Sequence, residues 1–288
     1  MSKFLLPNEK DSDIFSLKSQ TPMIKDPQAR IIHKENWKGE YYLFSLESKK
    51  IAYQSQPGQF IMVRIEALPY PLLRRPFSIH SRSRNTLEIF FNVQGIGTAL
   101  LAQKKLDDCL DILGPLGKGF RLEGDFKGKN VWLVGGGRGV APLYFLALRL
   151  RLRKAIPKIF YGGRNLLDLP LKEKFEKNGF DLLCSTDDGS FGFKGLVSDF
   201  LKRELEKSTP SYIYACGPEA MMKKIAGLSA RKKIPAEFSL ESLMGCGFGA
   251  CWGCVRRIKR AKEEAWVKTC EEGPVFRREE IIWPEGDK

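Results

Sequence analysis

Histidine is almost missing from this chain: His33 and His80 are the only two in 288 residues. So few leave little material for acid–base chemistry, in which histidine is the commonest participant. Long apolar runs are missing too. The longest candidate, residues 131–148, is broken by GGGRG, so nothing approaches the roughly 18 apolar residues that suggest a membrane span. The N-terminal MSKFLLPNEKDSD has no apolar stretch of signal-peptide length. Without an export signal the chain is expected in a reducing, cytoplasmic compartment. There, clustered cysteines bind metal or do redox work more often than they form disulfides. Repeats, low-complexity tracts, DNA-reading zinc fingers and RNA-binding signatures are also lacking, which points away from nucleic acid.

Acidic residues are outnumbered. Against 48 Lys and Arg stand 34 Asp and Glu, a formal charge of +14. Such a balance fits nucleic acid, an anionic membrane, an acidic partner, or simply a lysine-rich surface. The densest basic runs are RLRLRK (149–154) and RRIKRAK (256–262). What is present is enough for cores: 43% hydrophobic and 11% aromatic residues over a length that suits two ordinary domains and a small third.

Residues 1–28 are polar and aperiodic and read as an arm or disordered leader. From 29 to 126 the pattern is β-like. RIIHKENWKGEYYLFSLES, QPGQFIMVRI, RPFSIHS and TLEIFFNV are short aromatic and β-branched runs separated by turn residues. They predict an antiparallel barrel or sandwich. From 127 to 235 strands alternate with helices: NVWLVGG, PKIFYGG, FDLLCST and SYIYAC, each followed by a helical stretch. That alternation predicts a doubly wound parallel sheet. From 236 to 288 glycine, cysteine and charge mark a small third module.

The third module holds CGFGACWGC. Cys246, Cys251, Cys254 and Cys270 follow the pattern C-x4-C-x2-C-x15-C, the spacing of plant-type [2Fe–2S] sites. Two irons and two sulfides need four thiolates, three of them here from one tight loop. Glycines at 245, 247, 249 and 253 allow positive φ and let backbone N–H groups point at sulfur. The rival is structural zinc, which usually shows two CxxC knuckles where this chain has one. Cys109 and Cys184 read as buried apolar cysteines, and Trp252 as a cover for the cluster or an anchor for its loop.

Two further motifs lie upstream. LLRRPFSIHS offers Arg75 to a phosphate, Phe77 to a ring system and Ser78 to a heteroatom. NVQGIGTALL places Gly95, Gly97 and Thr98 before a helical stretch, suited to a phosphate at a helix N-terminus. VGGGRGVAP, with glycines 135, 136, 137 and 139, follows a buried strand and opens a helix. Such a turn lets backbone approach a pyrophosphate. Asp187 and Asp188 end the next-but-one strand, and Cys216 and Gly217 end another. Ligands of open α/β sheets bind at the carboxyl ends of strands, so these loops should converge. The alternative for Cys216 is a small residue at a tight turn. The two aspartates near a plausible ribose favour NAD over NADP, for which Arg164 is the opposing candidate.

The order RPFS, GIGT, GGGRGVAPLY and YACGP resembles the ferredoxin–NADP reductase superfamily. RRPFSI, LGPLGKGF, SLESLMGCGFGACWGCVRRIK and CEEGPVF narrow the resemblance, across 29–283, to the electron-transfer subunits of class 1B dihydroorotate dehydrogenases. The resemblance implies a flavin-binding β-barrel, a nicotinamide-binding α/β domain and a [2Fe–2S] module. FAD would lie across Arg75, Pro76, Phe77 and Ser78, with backbone contacts at Phe90, Phe91 and Asn92. Gly97 and Thr98 would hold its pyrophosphate, and the four cysteines the cluster. An FMN-containing partner subunit would oxidise dihydroorotate in pyrimidine biosynthesis, within a heterotetramer, its electrons passing through the cluster and FAD to NAD+. Hydride transfer needs no acid or base, in accord with two histidines read as structural.

The chain departs from the family pattern at Arg138, where an aliphatic residue is common, and in its first 28 residues. Equivalent subunits serve cytoplasmic hydrogenases and sulfite reductases, which leaves them as an alternative. A zinc-stabilised, non-catalytic binding protein on the same scaffold is the second. The basic RRIKRAK run beside the cysteines is expected either to meet an acidic partner or to be a solvated face.

Overall fold

The computed structural model describes residues 23–37, 41–65, 70–260 and 263–284. The expected leader lies outside these as far as residue 22.

Strands β1 (Ile24–Trp37), β2 (Tyr41–Glu47), β3 (Phe60–Arg64), β4 (Arg75–Arg82), β5 (Thr86–Asn92) and β6 (Cys109–Leu116) form the first domain, with helices α1 (Lys49–Gln54) and α2 (Ile96–Gln103). The strands close into a barrel in the order β1-β2-β5-β4-β3-β6, and every neighbouring pair is antiparallel. Alternation fills it: on β3, Ile61 and Val63 point inward, while Phe60 and Met62 pack outside. β1 starts five residues before the expected boundary at 29, because Ile24 and Lys25 pair with Gly114 and Leu113 of β6. The strand's partner lies some ninety residues downstream, so local pattern did not reveal it. β6 itself, CLDILGPL, was not anticipated, since a central acid and a Gly-Pro pair interrupt its apolar residues.

The second domain holds β7 (Asn130–Gly136), α3 (Ala141–Leu152), β8 (Ile156–Gly163), α4 (Lys172–Lys177), β9 (Asp181–Thr186), β10 (Phe193–Lys194), α5 (Val197–Lys207), β11 (Tyr212–Cys216), α6 (Glu219–Arg231) and β12 (Ala236–Ser239). A hairpin of β13 (Val255–Arg260) and β14 (Glu263–Lys268), helix α7 (Thr269–Glu272) and β15 (Val275–Arg277) follow. The sheet order is β10-β9-β8-β7-β11-β12-β15, parallel except for β15. Helices α3 and α4 cover one face, α5 and α6 the other.

The boundary expected at 235/236 needs correcting. β12 pairs in parallel with β11, so the sheet runs on to Ser239, and β15 returns from the third module to become its edge. Glu237 hid this strand. A carboxylate in the middle of AEFS reads as solvent-facing, yet it is 0% exposed. Arg121 satisfies it with its backbone N–H at 3.0 Å and its guanidinium at 3.1 Å, as buried charge requires.

One apolar cluster joins the two large domains, mixing Tyr41, Leu43, Phe90 and Phe120 with residues of the sheet and of α3. Another seats the cysteine module on the barrel: Cys254 and Cys270 pack with Phe60, Met62, Leu113 and Leu116.

Candidate functional site

The Arg-Pro-Phe-Ser motif opens β4. Alternation leaves Arg75, Pro76 and Ser78 half-buried and turns Phe77 inward. The Phe77 ring sits 5.5 Å from that of Phe91 inside the barrel. The ring of Phe77, expected to meet a ring system, packs in the barrel core. Phe91 is likewise core, whereas Phe90 faces the second domain and stacks on Tyr41 at 5.7 Å. Asn92 accepts a hydrogen bond from Arg138 Nη1 at 3.1 Å.

Gly97 lies in the first turn of α2. A Cβ there would come within 3.1 Å of Arg75 Nε, so glycine lets the guanidinium rest against the helix start. The Thr98 hydroxyl accepts from the N–H groups of Gln94 (2.8 Å) and Gly95 (3.2 Å), which fixes that turn. Beside it is a cavity of about 430 Å³ lined by Tyr70, Leu72, Leu73, Arg75, Ile96 and Gly97. A fixed cation, a helix N-terminus and an apolar wall suit a pyrophosphate carrying a ring system, so these residues fit FAD.

The glycine turn closes on the end of β11. A Cβ on Gly139 would collide with the carbonyl of Cys216, and one on Gly136 would meet Met221 Sδ at 2.7 Å and Pro218. Gly137 has φ +52° and open space beyond it. Thus Gly135, Gly136, Gly137, Gly139, Cys216 and Gly217 come together where the strand order reverses between β7 and β11, the position at which such sheets bind ligands. Burial pushes the Cys216 thiol up to about 12, so it packs rather than reacts. Asp187 and Asp188 follow β9 on the same sheet edge, two strands from β7. The Asp188 carboxyl is held below its usual range by hydrogen bonds from Ser190. Arg164 is tied to Asp168, Nε to Oδ2 at 2.6 Å.

The four cysteines form two pairs. The Cys246 and Cys251 sulfurs each accept from the other's N–H at 3.4 Å, and Gly253 N–H adds to Cys251 at 3.4 Å. Burial opposes ionisation of Cys246, but N–H groups of Phe248, Cys251 and Ala250 bring it down to about 7. Cys270 N–H donates to Cys254 Sγ at 3.5 Å, and burial with the neighbouring Cys254 pushes Cys270 up to about 12. Among the described residues no three Cys, His, Asp or Glu converge on one point as a mononuclear site would require. Two pairs, three of the cysteines on a loop whose amides aim at sulfur and the fourth on α7, fit a dinuclear cluster. The pairs differ in setting. Cys254 and Cys270 are buried on the barrel, while Cys251 is exposed and Cys246 half-buried beside exposed Leu243, Phe248 and Trp252.

Some residues are placed differently from their sequence reading. Cys109 is exposed, not buried, because β6 turns it outward; Cys184 is buried as expected. Residues 256–260 of the RRIKRAK run lie in a hairpin strand, where Arg256, Arg257 and Arg260 pair with Glu219, Glu264 and Glu272; its last two residues lie outside the described residues. Lys268 lies 5.0 Å from the centre of the Trp252 ring and donates to Gly249 O at 3.0 Å, so Trp252 anchors the loop. His80 is fully buried, stacked on Tyr144 with its Nδ1 2.8 Å from Ala141 O. Buried Glu88 and half-buried Lys174 make a 2.7 Å pair across the first two domains. The only sequence signal for it was an acid inside TLEIFFNV.

A barrel sharing a core with a nucleotide-type sheet is the architecture of ferredoxin-reductase-like oxidoreductases, and the cysteine loop adds an iron–sulfur module. The family described as the iron–sulfur cluster binding domain of dihydroorotate dehydrogenase B matches residues 241–282, and the oxidoreductase NAD-binding domain matches 133–227. The chain is 38% identical over 244 residues (84% of this chain, 92% of the relative) to the dihydroorotate dehydrogenase B (NAD(+)) electron transfer subunit of Desulforamulus reducens. It is 41% identical over 246 residues (84% and 92%) to that of Bacillus caldolyticus. A solved NADH-dependent reduced ferredoxin–NADP oxidoreductase superposes with a TM-score of 0.78 at 29% identity, covering 89% of this chain and 90% of that one. A ferredoxin NADP+ reductase from Neisseria gonorrhoeae shares the fold, at a TM-score of 0.59 and 20% identity over 74% of this chain and 92% of its own. This chain belongs to the family of dihydroorotate dehydrogenase B electron transfer subunits.

Proposed function

We propose that the chain is the electron-transfer subunit of an NAD-linked dihydroorotate dehydrogenase, carrying FAD and a [2Fe–2S] cluster and working beside an FMN-containing catalytic subunit in the cytoplasm. A nicotinamide exchanges two electrons as hydride and an iron–sulfur cluster exchanges one at a time; a flavin does both and belongs between them.

The observation that carries this reading is the position of β3. On one side Phe60, Ile61, Met62 and Val63 pair with Ser78, Phe77, Pro76 and Arg75, the Arg-Pro-Phe-Ser strand. On the barrel's outer face the same Phe60 and Met62 pack on Cys254 and Cys270. The candidate flavin strand, one sheet spacing of about 4.8 Å away, and the cysteines therefore both adjoin β3. Arg75 and the start of α2 bind and orient the flavin's pyrophosphate. The glycine turn and the end of β11 admit the dinucleotide, with Asp187 and Asp188 toward its ribose. Buried Cys254 and Cys270 face the barrel, while the Cys246–Cys251 pair and exposed Leu243, Phe248 and Trp252 face outward. That outer face is the docking side for the catalytic subunit. Among the described residues no helix is long and apolar enough to cross a membrane, and unpaired cysteines suit a reducing compartment.

The test is anaerobic purification followed by a visible spectrum and iron and acid-labile sulfide assays. Two irons, two sulfides and one flavin per chain, bleached by NADH, are expected. Cys254→Ser should lose the iron and keep the flavin. A colourless protein that binds one zinc after anaerobic reconstitution overturns the proposal. Dihydroorotate-dependent NAD+ reduction with a co-purified partner separates it from the hydrogenase and sulfite reductase alternatives.

A further inference from the structure

Arg138 sits inside the glycine turn, between Gly137 with its positive φ and Gly139 pressed on Cys216. Its backbone is therefore held on both sides. Its guanidinium reaches two other parts of the molecule. Nη1 donates to Asn92 Oδ1 at 3.1 Å, at the end of a barrel strand. Nη2 lies 3.9 Å from Glu241 Oε2, five residues ahead of the first cluster cysteine. The two side chains are 38% and 67% exposed. The Cys216 thiol feels both, the Glu241 carboxylate opposing and the Arg138 guanidinium favouring its ionisation beneath the larger effect of burial. Guanidinium, carboxylate and thiol thus share the crevice at the switch point of the sheet.

The two contacts are unequal. The Asn92 bond is short and fixes the guanidinium over the crevice. The Glu241 contact is long and solvated, and exposed pairs of this kind contribute little. A pyrophosphate entering at the glycine turn meets a cation whose present carboxylate partner is weakly held, and Arg favours phosphate through its fork of donors.

We infer that Arg138 and Glu241 form an exchangeable latch: the anionic dinucleotide displaces Glu241 from Arg138, and nucleotide binding thereby releases the head of the cluster segment. The inference rests on the reading of this crevice as the NAD(H) site. By linkage, whatever frees Glu241 also favours the nucleotide. Glu241 is the intramolecular occupant that the ligand's phosphate replaces.

The experiment measures NAD+ dissociation constants by calorimetry on cofactor-loaded wild type, Glu241→Gln, Arg138→Gln and the double variant, with flavin and iron content checked first. Removing so weak a competitor should tighten binding about two- to fivefold, whereas losing a charge-assisted phosphate contact should weaken it about tenfold. Glu241→Gln should have no further effect in the Arg138→Gln background. Hydrogen exchange over residues 241–246 should rise on adding NAD+ to wild type and stay unchanged in Arg138→Gln. The latch is overturned if Glu241→Gln leaves affinity unchanged or weaker, or if it tightens binding equally without Arg138, which would mark a diffuse charge effect. A wild type that carries flavin and cluster but neither binds NAD+ nor is bleached by NADH sinks the nicotinamide reading itself, and the latch with it.

Discussion

A histidine without exposed surface has to commit to one protonation state. Burial, helped by the nearby Lys174 charge, lowers the His80 pKa from 6.5 to about 3. The folded protein thus keeps His80 neutral while the unfolded chain protonates below 6.5. Its contribution to stability is complete above pH 6.5 and is lost as pH falls toward 3, by up to about 1.4 kcal/mol per pH unit. Glu88, whose carboxyl is held below 4.5, loses its contribution only at lower pH, so the upper part of the window belongs to His80. Urea unfolding at pH 7.5 and 5.0 should show wild type losing about 2 kcal/mol more than His80→Phe. Equal losses would mean that the folded state accepts the proton. The residue is thereby assigned to packing between barrel and sheet.

At the scale of the element, the glycine turn between β7 and α3 uses its glycines for different ends. Gly139 is small because β11 lies against it; Gly137 is left-handed with nothing near it. Gly139→Ala should cost about 1–3 kcal/mol through overpacking, seen as a lower urea midpoint, and should disturb nucleotide binding because the turn moves as a unit. Gly137→Ala meets no atom and bears only the left-handed backbone cost, about 1 kcal/mol. Comparable losses in the two variants would show that the close approach to Cys216 is not what sets the turn. β3 makes the same point for strands. Its FIMV stretch (60–63) is apolar throughout because both its faces are covered, one by the barrel core and one by the cysteine module, and only Arg64 at its end is exposed.

At the scale of the molecule, the barrel and the sheet are held by a shared apolar core, by buried bonds from Tyr41 to Asp168 at 2.9 Å and between His80 and Ala141, and by the pair of buried Glu88 with half-buried Lys174. Removing one partner of a buried pair leaves an uncompensated charge, typically worth about 3 kcal/mol or more. Lys174→Met should therefore lower stability by about that amount, and Glu88→Gln in the same protein should restore part of it. Thermal unfolding followed by flavin release reads the result directly. If the single variant is as stable as wild type, the ion pair does not hold the domains together. Such rigidity matters to an electron relay, since the candidate flavin strand, the glycine turn and the cysteine loop come from three segments whose spacing the interface fixes.

The sequence by itself determined the motifs. Four cysteines at plant-type spacing, an Arg-Pro-Phe-Ser strand and a glycine turn each depend on residues close together in the chain, and short-range spacing is what a sequence displays. It likewise marked the change from short strands to alternating strands and helices. Tertiary structure alone decided which way side chains point and what they meet. It turned Phe77 into the core and exposed Cys109. It added Ile24–Lys25 and β6 to the barrel and carried Ala236–Ser239 into the sheet behind a buried Glu237. It paired Arg256, Arg257 and Arg260 with acids of the same chain and set β3 beside both the Arg-Pro-Phe-Ser strand and the cysteines. Each of these rests on a partner distant in sequence, and burial, which sets both the pKa of His80 and the fate of Glu237, exists only once that partner has arrived.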